Sequence, residues 1–153
     1  MLREKITESL KTAMQAKNEA DVSTLRMINA GIKQKDIDVA RPRGDQQIKD
    51  EEILALLQGL IKSRRESIAL YQQGKRQDLV DKETAEIAVI EGFLPKQLSD
   101  GEIKDAVKKI IGATGAASIK DMGKVMGAIK TQYAGQMDMN KASAAVKELL
   151  SAA

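Results

Sequence analysis

The chain has no cysteine, no histidine and no tryptophan, and its 153 residues include two prolines, two tyrosines and one phenylalanine. Each absence removes a class of function. Without cysteine there is no disulfide, no thiolate nucleophile and no thiolate metal centre; without histidine the usual general base near neutral pH and the commonest metal ligand are missing as well. With so few aromatic rings, single-stranded nucleic acid cannot be held by base stacking. The core must instead come from Leu, Ile, Val, Met and Ala, which pack well between helices. No run approaches eighteen successive apolar residues, and the opening "MLREKITESL" carries no uninterrupted apolar h-region. A cytoplasmic protein with no membrane partner is therefore expected.

What is present describes a folded chain: 42% of residues are apolar and 31% charged, a globular balance. The net charge of +3 is unevenly placed. Residues 1–95 carry 16 Lys and Arg against 16 Asp and Glu, whereas residues 96–153 carry 9 against 6, with no arginine among them. The composition shifts at Pro95, which marks a domain boundary.

The apolar residues recur at helical spacing throughout. Leu2, Ile6, Leu10, Ala13 and Met14 form a first stripe; Val22, Leu25, Ile28 and Ile32 continue toward Val39, where "ARPRGDQQ" breaks the pattern. A third helix begins at the acidic "DEE" near Asp50, carries Ile53, Leu57, Leu60, Ile61, Ile68 and Tyr71, and meets a capping glycine at Gly74. A fourth spans Asp78 to Leu94, stopped by Pro95. Ser99 and Glu102 form a capping-box pattern ahead of Ile103, Val107 and Ile110; Ser118 and Asp121 open a sixth helix that Gly135 closes; a last helix runs from about Asp138 to Leu150. No strand pattern appears. The expected fold is all-α, with an N-terminal four-helix bundle-like domain over residues 1–95 and a small three-helix domain over 96–153.

Several residues invite chemistry. Arg64 falls in the middle of the third helix's apolar stripe and needs a partner; a hairpin about Gly74 brings Glu83 and Glu86 to its level. The pattern favours a structural ion pair of Arg64 with Glu83 and Glu86 over an anion-binding site. The carboxylates Asp81, Glu83, Glu86 and Glu91 share one helix without the spacing of a magnesium site or a catalytic dyad, and there is no phosphate loop. No catalytic residue, metal site or cofactor is assigned. Gly112 and Gly115 match the GxxG clamp of an RNA-binding KH module, but that module requires strands.

The stretch "KDMGKVMGAIK" is more informative. On a helical wheel Met122, Val125, Met126, Ile129 and Tyr133 share one side, while Lys120, Gly123, Lys124, Gly127, Lys130 and Thr131 share the other. Each glycine costs a helix about 1 kcal/mol relative to alanine. A smooth face flanked by cations lets a sugar-phosphate backbone approach closely, which makes these six residues the candidate RNA-binding set. Two neutral glycines beside a connector, or a close crossing with a neighbouring helix, would leave the same pattern. With few rings to stack bases, the nucleic acid suited to this face is structured RNA.

The run "SRRESIALYQQGKRQDLVDKETAEIAVIEGFLPKQLSDGEI", Ser63 to Ile103, together with "STLRMINAGIK" and "GAASIKDMGKVMGAIK", resembles the bacterial YqeY family over nearly the whole chain. The resemblance implies a helical N-terminal bundle and a small C-terminal unit similar to the tail of the GatB subunit of tRNA-dependent amidotransferase, a glutamine-dependent carbon-nitrogen ligase. That tail contacts the tRNA body, and its similar residues here are Gly123, Val125, Met126, Ala128 and Gly135, with the closing helix through Val146 and Leu149. Lys124 and Gly127 depart from the GatB pattern. Nothing in the chain is similar to the GatB cradle or to the amidase subunit, so the resemblance implies association with amide transfer and no autonomous activity. An accessory domain binding tRNA or structured RNA is the first expectation; a helical adaptor receiving a protein partner on the same face is the alternative.

Overall fold

The computed structural model describes residues 1–151, and among these there are seven α-helices and no strand. In chain order they are α1 (Leu2–Gln15), α2 (Glu19–Lys35), α3 (Asp50–Gln73), α4 (Gln77–Glu91), α5 (Asp100–Thr114), α6 (Met122–Gln132) and α7 (Met139–Ser151). The fold is all-α, as the 3.6-residue periodicity requires. The chain divides into two compact units, Met1–Leu94 and Pro95–Ala153.

Local chemistry starts and stops the helices. Asn18 caps α2 by accepting the backbone N–H of Asp21 at 3.2 Å, with acids in the first turn and Lys33 and Lys35 in the last, each sign matching its end of the helix dipole. Ser99 Oγ accepts the N–H of Glu102 at 3.2 Å while Glu102 accepts that of Ser99, a complete capping box for α5. Asp138 Oδ1 accepts the N–H of Asn140 at 2.7 Å at the start of α7. The two hairpin turns share a device. Gly74 ends α3 with an ordinary φ of −79°, and the left-handed position falls on the next residue, Lys75, at φ 56°, as it does on Lys17 at φ 55° between α1 and α2.

The first unit is built on two antiparallel hairpins, α1 with α2 and α3 with α4. Its fully buried centre is Ile6, Ile28, Ile32, Ile53, Leu57 and Ile90. The first stripe is narrower than its sequence suggests, since Met14 is half exposed while Ala13 turns inward. Helix α2 also ends sooner than the apolar pattern implies. After Lys35 the chain widens into a π-helical turn, Asp36–Ala40, where the pattern predicts continued α-helix to Val39, and tightens into a 3₁₀ turn, Arg41–Arg43, within the expected loop. Asp36 explains the change. It takes both Arg3 nitrogens, at 2.9 and 3.0 Å, and the N–H of Ile48 at 2.8 Å, so α1, the end of α2 and the approach to α3 meet on one carboxylate. Arg3 holds that carboxyl below its usual range. Helices α1 and α4 do not pack directly on each other; both line one open cavity, together with Asp21 and Leu25 of α2.

In the second unit α5, α6 and α7 each pack on the other two around Val107, Ile110, Val125, Ile129, Met137 and Val146. The segment leading into it is fastened to the α6–α7 connection, Leu98 N–H donating to Gln136 O at 2.8 Å and Gln97 Nε2 to Gly135 O at 2.6 Å. Gly135 itself needs a left-handed φ of 73°. Among the described residues no helix is long and apolar enough to cross a membrane.

Candidate nucleic-acid interface

The candidate surface begins where α5 ends. Gly115 takes φ 69° and terminates the helix, and the following connector is held by Asp121, whose Oδ2 accepts the N–H groups of Ala117 and Ser118 at 2.9 and 3.3 Å. Those two bonds keep the Asp121 carboxyl below its ordinary pKa. A 3₁₀ turn, Ile119–Asp121, intervenes before α6 starts at Met122. Lys120 thus stands on that turn, two residues before the helix on which the spacing put it.

Along α6 the two sides differ as side-chain volume dictates. Val125 and Ile129 are fully buried, and Met122, Met126 and Tyr133 pack partly against the same core. Gly123 and Gly127 are exposed, and a Cβ added at either would meet no atom within 4 Å. No neighbouring helix crosses them, so close packing within this chain does not account for the glycines. Lys120, Lys124, Lys130 and Thr131 are exposed around them, but they are not equivalent. Lys124 Nζ donates to the carbonyl of Thr114 at 2.9 Å. Thr131 Oγ1 donates back to Gly127 O at 3.1 Å within the helix. Lys120 and Lys130 keep their ammonium groups toward solvent. The surface is therefore a bare strip of helix backbone with two unengaged cations at its ends and one tethered cation on its α5 side.

In the first unit the structure brings Arg64, Glu83 and Glu86 together. Arg64 Nε donates to Glu86 at 2.9 Å and lies 3.8 Å from Glu83, with its side chain 12% exposed. Its Nη1 reaches Leu60 O at 3.2 Å and its Nη2 the sulfur of Met27. Each of its three nitrogens has a protein partner, which accounts for three of the five N–H donors of the guanidinium. Asp81 is bonded to Gln77 and Glu91 to Arg65, away from this cluster. Among the described residues no three carboxylates group as a metal site. Two further pairings have weaker sequence signals. Arg3 with Asp36 gives none, being 33 residues apart. Arg43 with Glu52, at 2.5 and 2.7 Å, is foreshadowed by Glu52 standing third in the acidic first turn of α3.

Fold and site together define an all-helical, two-unit protein whose candidate surface is a basic helix face and not a cluster of catalytic groups. The chain belongs to the YqeY family: the model of Yqey-like proteins matches residues 3–150. It is similar to proteins named altered inheritance of mitochondria protein 41, mitochondrial. The one from Pyrenophora tritici-repentis is 32% identical over 133 residues, covering 82% of this chain and 70% of the relative. Those from Kluyveromyces lactis and Lachancea thermotolerans are 34% and 33% identical, over 58% and 69% of this chain. The matched segment spans about half of each of these two yeast relatives, 45% and 56%.

These names overturn the expected cytoplasmic location, because each relative is designated mitochondrial. That expectation rested on the missing apolar h-region. Mitochondrial import segments are amphipathic and arginine-rich, not continuously apolar, so the missing h-region does not bear on them.

Proposed function

We propose that this YqeY-family chain is an accessory protein that binds structured RNA, tRNA foremost, through the exposed face of α6. The supporting observation is the bare backbone at Gly123 and Gly127, open to 4 Å and flanked by the exposed Lys120 and Lys130. A phosphodiester chain needs close approach and cations at its flanks, and gains nothing from bulk in between. The cationic excess of residues 96–153 acts in the same direction. In this role the chain is related to tRNA-dependent amide transfer by association. It supplies an RNA contact, without the carboxylate-activating and ammonia-releasing parts.

The test is a titration of folded tRNA at several salt concentrations. Gly127→Leu weakens binding by about tenfold through bulk laid across the strip, while helix content by circular dichroism holds or rises because leucine is the better helix former. Unchanged affinity rules the face out as the RNA site. A second reading has its own support: Gly123, Gly127 and Thr131 recur every fourth residue, a spacing that also admits a docked partner helix. Log affinity that hardly changes with log salt favours that adaptor role, since phosphate neutralisation gives a steep linear fall.

A further inference from the structure

The first unit holds a surface that RNA binding by α6 does not use. The open cavity between α1 and α4 has a volume of about 730 Å³. Ser9 and Thr12 line it from α1 and Ala88 and Val89 from α4, while Leu25 of α2 and Phe93 complete its apolar part. Val89 and Phe93 are half-buried and pack against the core of the unit, so this lining is an uncovered edge of that core. Lys5, Glu8 and Asp21 line the cavity too, and among the described residues none of these three charged groups has an ion-pair or hydrogen-bond partner.

These features select the occupant. A small molecule needs a site that encloses most of its surface, and this one is open to solvent. An RNA backbone gains from cations, whereas the charged groups here are two carboxylates against one ammonium, beside an apolar wall. An added strand needs a free sheet edge, and the described residues form no strand; a polyproline segment needs an aromatic-lined groove, and Phe93 is the one ring in the lining. What fits is a helix laid in the gap between two helices. A second copy of this chain does not offer one. Its exposed large apolar side chains, Met1, Met14, Ile37, Leu70 and Ile119, stand singly, so among the described residues no helix has an apolar stripe left over for another copy's cavity.

We propose that the cavity between α1 and α4 is a docking site for an amphipathic helix of another protein, its apolar side against Ala88, Val89 and Phe93 and its basic residues facing Glu8 and Asp21. The sign of the charge follows from the lining, since the two unpaired carboxylates outnumber Lys5 and a Lys or Arg of the incoming helix supplies their partner. The assignment uses the first unit alone and is independent of RNA binding by α6.

The test is an amide chemical-shift titration of the isotope-labelled full-length protein with two stapled amphipathic peptides of about fifteen residues. Both carry the same leucine stripe, flanked by lysines in one and by glutamates in the other. The lysine peptide is expected to shift the signals of Ser9, Thr12, Ala88 and Val89 and to bind about fivefold more tightly than the glutamate peptide, a preference that Glu8→Gln with Asp21→Asn removes. Ala88→Arg is expected to weaken its binding about tenfold, and Ala85→Arg, exposed on the same helix but outside the cavity, to leave it unchanged. Shifts confined to other residues, no shift at all, or equal loss in both arginine variants overturns the site. Equal affinity of the two peptides overturns the basic helix as its occupant. Sedimentation of the peptide-free protein tests the other source: a dimer that Ala88→Arg abolishes assigns the cavity to a second copy and overturns the proposal.

Discussion

Arg64 shows how one residue fixes a junction between helices. Its largely buried guanidinium joins α3 to Glu83 and Glu86 of α4 and to Met27 on α2. Replacing it by methionine leaves Glu83 and Glu86 facing an apolar neighbour, and should cost about 2–3 kcal/mol of stability in urea denaturation; adding Glu83→Leu and Glu86→Leu should restore much of that loss. The opposite sign is expected at the hairpin turns. Lys17 and Lys75 hold left-handed backbones, so Lys75→Gly should raise stability by roughly 0.5 kcal/mol net of the chain entropy that glycine adds. Arg64 was legible in the sequence because a charge interrupting an apolar stripe demands a partner. Lys75 was not, because the glycine beside it, Gly74, was the obvious occupant of a left-handed cap, and which of two successive residues takes that role is settled by the hydrogen bonds of the turn.

Among the helices, caps were readable and junctions were not. Ser99 with Glu102 announces α5 by spacing alone, because both partners lie within one turn. The π turn after α2 depends on Arg3 and Ile48 converging on Asp36, which no local pattern records. The start of α3 carries a pH dependence. Glu52 is held at about 2 by Arg43, and by the N–H of Lys49, against an ordinary value of 4.5. A depressed carboxyl stabilises the fold fully above its unfolded pKa and loses that contribution as pH falls through its folded one. Acid titration followed by circular dichroism should therefore show wild type and Glu52→Gln separated at neutral pH, with the gap closing between pH 4.5 and about 2.

For the molecule as a whole, two separate cores make the segment between them the weakest point of attack. Lys96 is exposed, and Gln97 and Leu98 immediately after it are fastened to the second unit. Limited trypsin digestion should cut after Lys96 before it cuts after Arg43, whose side chain is locked to Glu52 and Asp45; early cleavage at Arg43 would contradict that order. A contaminant-free preparation should show no glutaminase, ATPase or tRNA-amidating turnover, since the chain has no cysteine, histidine or phosphate loop. Family and fold class were legible because helical periodicity and the YqeY-like blocks run through nearly all of the sequence. The engagement of Lys124 was not. In sequence it looks like any other lysine, and what sets it apart is a carbonyl ten residues earlier that becomes its neighbour once α5 and α6 pack.

The gap between α1 and α4 also sets a timetable. In the first unit the most extensive packing joins helices that follow one another in the chain, α1 with α2 and α3 with α4, across turns of a few residues. Little loop-closure entropy must be spent before each hairpin gains its contacts, so relaxation after a denaturant or temperature jump should fall in the microsecond to millisecond range typical of helical proteins with local contacts. Asp36 brings in the later, non-local step, because Arg3 and Ile48 must both arrive before its carboxylate is satisfied. Asp36→Asn should accordingly speed unfolding more than it slows folding.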